Sequence, residues 1–281
     1  MYTEDVMAKR LKKNIVAMIA LLMSAVCIWQ VSSIAFADEE VRYTESNIIY
    51  SDSTIENVYY KSRTQLEYNI TPGMAPTYIA TGEYTNACGA IAGANTIGFF
   101  DKYVEDLIPG WQSYFPANGR YKPDDKVYIP AVIAELYTLM RTNVDDVGVS
   151  ETDFLNGLQE FVELRDKNIT YTSLYNNGTV NYAGCKASID AGKPILVFMD
   201  PTYMVAISQE NGYDYITGLP LNSAHIALIY GYEKIQYVLT DNTVRTDTYL
   251  IMSTGQISPR VSYLDITTSV DINDAKGVNI Y

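Results

Sequence analysis

Asn222-Ser223-Ala224-His225-Ile226-Ala227-Leu228-Ile229-Tyr230-Gly231-Tyr232 reads as a buried β-strand, because an apolar run with β-branched and aromatic members follows small polar residues. His225 in that run is the only histidine of the 281-residue chain. Far upstream, Asn86-Ala87-Cys88-Gly89-Ala90-Ile91-Ala92 opens a helical pattern. Small and apolar residues recur through Ile91, Ala94 and Gly98 until Asp101, Lys102 and Glu105 make the far end polar. A cysteine at a helix start and a histidine on a strand propose a nucleophile and its base. Imidazole titrates near neutrality, and a thiolate beside an imidazolium at a helix N-terminus is the form of cysteine that attacks carbonyl carbon.

Outward from these two runs the chain reads as α/β (α+β). Tyr128 to Met140 has helical spacing, and Ser150-Glu151-Thr152-Asp153 resembles a capped helix start before the apolar stripe Phe154, Leu155, Leu158, Phe161 and Val162. Lys186-Ala187-Ser188-Ile189-Asp190-Ala191-Gly192 reads as a short helix ended by glycine, and Lys193-Pro194 leads into Ile195-Leu196-Val197-Phe198-Met199, a buried strand. After the His225 strand, Ile235 to Leu239 and Thr248 to Met252 read as further antiparallel strands about an Asp241-Asn242 turn. Residues 38–74 are polar and tyrosine-rich and close on the turn signal Thr71-Pro72-Gly73, which reads as a lead-in or a propeptide before a domain at 75–281.

The first 37 residues read as a secretory signal peptide. Lys9-Arg10-Leu11-Lys12-Lys13 is the basic start, Asn14 to Val31 is uncharged and mostly apolar, and Ala35-Phe36-Ala37 is a small-x-small cleavage site. The sequence therefore predicts a secreted, extracellular protein with no membrane attachment after cleavage. The remaining 38–281 fits the size of a single-core domain. The formal net charge is −13, and the basic prefix makes the rest more acidic still, which repels phosphate backbones and anionic headgroups. Nucleic acid is excluded as a partner on that ground.

Outside the prefix only Cys88 and Cys185 remain, too few for a disulfide framework, so an apolar core must hold the fold; a single Cys88–Cys185 bridge is the structural alternative to a free nucleophile. One histidine and two distant cysteines form no zinc set, and Asp271-Ile272-Asn273-Asp274-Ala275-Lys276-Gly277 fails the calcium-loop spacing. The reading has no metal and no cofactor. Nothing in the sequence fixes the oligomeric state.

The runs around Cys88, Ala191-Gly192-Lys193-Pro194-Ile195-Leu196-Val197, His225 to Tyr232 and Tyr237-Val238-Leu239-Thr240-Asp241-Asn242, in that order, resemble the papain-like cysteine peptidases. The nearest branch is the secreted bacterial one akin to the bacteriocin-leader-processing peptidases and streptopain. The resemblance covers about residues 75–260. It implies a papain-like fold, a helical lobe carrying the cysteine packed on an antiparallel β-lobe carrying the histidine, with a peptide or protein substrate in the cleft between. On it Cys88 is the nucleophile and its backbone N–H an oxyanion donor, while His225 pairs with the thiolate and protonates the leaving amine.

Two positions depart from the family pattern. No glutamine occurs from Leu66 to Ala87, so the Asn86 amide or the Thr85 hydroxyl would stand in for the usual oxyanion glutamine. The residue orienting His225 is read as Asp241, whose carboxylate would fix the tautomer and stabilise imidazolium, with Asn242 or Ser253 as alternatives. The leading functional expectation is a secreted cysteine peptidase working through a thioester. A cell-wall peptide amidase or transpeptidase uses the same pair, and a non-enzymatic surface or binding protein on the same scaffold, rich in tyrosine contact residues, is the third reading.

Overall fold

The computed structural model describes residues 55–281 apart from residues 81–83, 124, 146, 211 and 268–270. The expected signal segment and the first part of the lead-in lie outside the described residues. Four helices are described: α1 (Cys88–Phe100), α2 (Tyr128–Leu139), α3 (Glu151–Glu163) and α4 (Tyr182–Asp190). The longer strands are β1 (Ile55–Ile70), β7 (Ile195–Met199), β8 (Thr202–Glu210), β9 (Tyr213–Leu221), β10 (His225–Leu239), β11 (Val244–Ser253), β12 (Val261–Asp265) and β13 (Ile272–Ile280). Shorter ones are β2 (Tyr114–Phe115), β3 (Arg120–Tyr121), β4 (Ile169–Ser173), β5 (Tyr175–Asn176) and β6 (Thr179–Val180). The class is α+β, with a nine-stranded antiparallel sheet as its main body.

β10 organises that sheet. The runs at His225 and at Ile235 form one strand of 15 residues, not two. Its first part, His225 to Ile229, pairs with β7, while Gly231 to Leu239 pairs with β1 on the same edge. The switch falls at Gly231, where a Cβ would come within 2.7 Å of Ile70 Cγ2 and 3.0 Å of Asn69 O. Only a residue without a side chain lets the end of β1 approach so closely. The run lacks alternation because both faces are covered. Ile226, Leu228 and Tyr230 join the cluster formed with the helices, and Ala227 and Ile229 join the opposite cluster containing Cys185 and Val197.

Six strands close into a ring: β1 pairs with β9, β9 with β8, β8 with β12, β12 with β11, β11 with β10, and β10 with β1. Val58, Tyr60, Val205, Ile216, Ile235, Tyr237 and Tyr249 form the apolar cluster of these strands. β7, β13 and β4 extend the sheet away from the ring. β1 lies in the segment expected as a lead-in or propeptide before a domain at 75–281, and it carries ladders to both β9 and β10, so residues 55–70 are a strand of the main sheet.

α1 packs against α2 and β10. Every residue from Gly89 to Phe100 is buried, and this explains its composition of small residues. A Cβ on Gly93 would meet Met140 Cε at 2.8 Å, and one on Gly98 would meet Tyr78 at 2.5 Å. α3 starts as its sequence predicts, with Ser150 Oγ accepting from the Asp153 N–H at 3.0 Å and Phe154, Leu158, Phe161 and Val162 buried beneath it. Among the described residues no helix is long and apolar enough to cross a membrane.

Candidate active site

Cys88 is the first residue of α1, and the helix start has no side-chain cap: Ala87 occupies the N-cap position. The first N–H groups of α1 are thus left for whatever lies in front of them. His225 is the first residue of β10. The two line one cavity of about 410 Å³. Its walls also include Asn86, the loop Val147 to Val149 before α3, the end of β7 at Phe198 and Met199, the Gly255-Gln256 loop after β11, and Asn273 on β13. The expected pair is therefore brought together from the helical side and the sheet.

His225 is 8 % exposed, and its Nε2 lies 2.7 Å from the carbonyl oxygen of Thr254. A carbonyl only accepts, so Nε2 carries the hydrogen and donates it. In the neutral ring Nδ1 is then the nitrogen with the free lone pair, the one able to take a proton. Thr254 is itself fixed, its N–H donating to Arg260 O and its hydroxyl to Pro259 O.

The group that holds the ring is this main-chain oxygen and none of the expected side chains, Asp241, Asn242 or Ser253. Asp241 lies beyond the far end of β10, where its Oδ1 accepts from the N–H and hydroxyl of Thr243 and shapes the hairpin turn. At about 3.3 Å per residue, the length of β10 puts it tens of ångströms from His225. Asn242 sits in the same turn at φ +70° and accepts from Lys61 Nζ. Ser253 is next to Thr254, yet its Oγ is buried without a hydrogen-bond partner among the described residues. The neutral main-chain carbonyl of Thr254 occupies the place assigned to those three. A backbone oxygen has no sequence signature, which is why the residues alone did not reveal it.

Burial sets the protonation at rest. It pushes the Cys88 thiol up, against the smaller opposing effect of the Ile226, Gly89 and Cys88 N–H groups around the sulfur. It pushes His225 down, with the Thr254 hydrogen bond acting weakly the other way. Burial thus favours the neutral form of both the thiol and the imidazole. Cys185 differs in kind: it is fully buried in the second core cluster and its thiol is pushed up to about 12 by burial. Both cysteines are free, so the bridge considered as an alternative is not formed.

Asn86 lines the cavity in a left-handed conformation, φ +55°, and its amide donates to Asn143 Oδ1 at 3.0 Å. Asn143, also left-handed at φ +61°, donates to Thr85 O and to Tyr137 OH and accepts from the Gly148 N–H. It ties the segment before Cys88 to the loop before α3, and composition gave no hint of it. Thr85 is held from the same side, its Oγ1 3.3 Å from Asn143 Nδ2. The expected oxyanion side chains are thus engaged in fixing the loop, and the donors around the sulfur are main-chain N–H groups, that of Ile226 at the start of β10 and those of Cys88 and Gly89 at the uncapped start of α1. Gln256, from a loop the sequence reading passed over, supplies the cavity with a glutamine from the other wall. Among the described residues no three or more His, Cys, Asp or Glu side chains gather as a metal site. No protein-family model, no curated protein and no solved structure matches this chain.

Proposed function

We propose that this protein is a secreted cysteine peptidase of papain-like organisation, in which Cys88 attacks the carbonyl carbon of a peptide bond and His225 moves the proton. The observation that carries the reading is the shared cavity of an uncapped helix N-terminus bearing a thiol and an imidazole whose tautomer leaves Nδ1 free. As Cys88 Sγ bonds to the carbonyl carbon, its proton passes to Nδ1. The negative charge that develops on the carbonyl oxygen is met by the first N–H groups of α1. Collapse of the tetrahedral species breaks the C–N bond, and the imidazolium gives its proton to the departing amine. Water, deprotonated by the same nitrogen, then adds to the thioester, returning the thiol and a free carboxylate.

The reading assigns the export to the signal-like prefix and the substrate to the polypeptide class. The test is hydrolysis of an unstructured protein substrate, with products identified by mass, by wild type, Cys88→Ala and His225→Ala. Cleavage by wild type and a loss of about 10³-fold or more in each variant are expected. Full activity of Cys88→Ala would overturn the proposal. Turnover of cell-wall peptides with none of polypeptides would transfer the same pair to an amidase or transpeptidase, and a wild type inert to both, with Cys88 unreactive to iodoacetamide, would leave a binding scaffold.

A further inference from the structure

Three residues lining the cavity carry side-chain amides; the Asn86 amide donates to Asn143 and that of Asn273 to Asp200 Oδ1 at 2.8 Å. Gln256 is the third, and its side chain has no hydrogen-bond partner among the described residues. Its backbone does: the Gln256 N–H donates to Thr254 Oγ1 at 3.0 Å. Thr254 is the residue whose carbonyl holds His225 Nε2 at 2.7 Å. One threonine therefore sets both the imidazole and the start of the loop that carries Gln256.

We infer that Gln256 is a substrate-positioning residue that binds the polypeptide segment on the leaving side of the scissile bond, an assignment that rests on the peptidase reading above. The imidazolium must hand its proton to the departing amine, so the leaving half of the substrate passes on the His225 side of the cavity. Gln256 stands on that side, two residues beyond the carbonyl that holds the ring. A side-chain amide offers two donors and one acceptor, which match the alternating C=O and N–H groups of an extended peptide. Ammonia or a small arylamine presents no such pattern. The glutamine thus favours substrates cut within a polypeptide over those losing a small amine.

The experiment compares kcat/KM on two probes sharing one acyl half: an internally quenched peptide with four residues after the scissile bond, and a peptidyl arylamide whose leaving group is a small fluorophore. For Gln256→Ala and for Gln256→Glu, which keeps the shape and loses the donors, the ratio of peptide to arylamide kcat/KM falls about tenfold from its wild-type value. An unchanged ratio, whether both rates hold or both fall together, overturns the assignment while leaving the peptidase reading standing. A wild type that cuts neither probe removes the peptidase reading, and the assignment with it.

Discussion

His225 is held by a carbonyl and not by a carboxylate, and that choice sets how the site responds to protons. A carboxylate would favour imidazolium, whereas burial beside a neutral acceptor favours the uncharged ring, as the lowered pKa of His225 reflects. The unfolded chain releases the ring to its ordinary value near about 6.5. Below that value the unfolded state binds a proton that the folded state takes up only at lower pH, so stability is present above it and falls as the solution is acidified. The chain has one histidine, while Asp101 and Glu151, whose carboxyls burial pushes up, act in the opposite direction on acidification, so the difference between wild type and a histidine variant isolates the share of the ring. Thermal unfolding of wild type should show Tm falling from pH 7.5 to pH 5.5, and His225→Asn should flatten that dependence over the same interval. Identical pH dependence in wild type and His225→Asn would contradict a neutral buried ring.

At the scale of elements, the Asp241 turn and the Thr254 loop lie beyond opposite ends of β11, and only one of them reaches His225. Asp241 is exposed and bonded within its own turn. Asp241→Asn should therefore leave kcat/KM on peptide within about twofold of wild type, and Ser253→Ala should be neutral or slightly stabilising, because it removes a buried hydroxyl without a partner. A loss of tenfold or more in Asp241→Asn would mean that β10 and β11 pair differently from the register Tyr237↔Arg245 and Leu228↔Ser253. Local signals were legible here: the Ser150 cap, the all-apolar β7 and the small-residue face of α1 each follow from short-range pattern. Cys88 and His225 were legible as residue types at element starts. The Thr254 carbonyl, the Asn143 bonds and Gln256 were not, because each depends on which loops the folded sheet brings to one cavity.

For the molecule as a whole, the ring of six strands was the least legible feature, since its closure depends on β1 reaching residues more than 150 positions later. What holds that closure is partly ionic. Asp214 on β9 is fully buried; its Oδ2 accepts from Arg63 Nε on β1 at 2.8 Å and from Tyr237 OH on β10 at 2.6 Å. One carboxylate thus links β1 to both of its neighbours. Removing it as Asp214→Ala leaves the Arg63 guanidinium with only its longer contact to Glu233 at 3.5 Å, and breaking a buried pair costs on the order of 3–5 kcal/mol, which the remaining partner holds to the lower end. That is a large part of the roughly 5–15 kcal/mol by which a domain is stable. Urea unfolding should show this loss as a lowered midpoint. The double variant Asp214→Leu, Arg63→Met should recover part of it, because apolar residues of similar volume need no partner, while Glu233 keeps its bond from Gln65 and the Tyr237 hydroxyl loses its acceptor. Asp214 does not line the Cys88 cavity, so iodoacetamide should label Cys88 in the folded single variant at the wild-type rate. A single variant less than about 1 kcal/mol weaker than wild type would mean that the apolar cluster around Tyr237 and Tyr249 closes the ring without the ion pair.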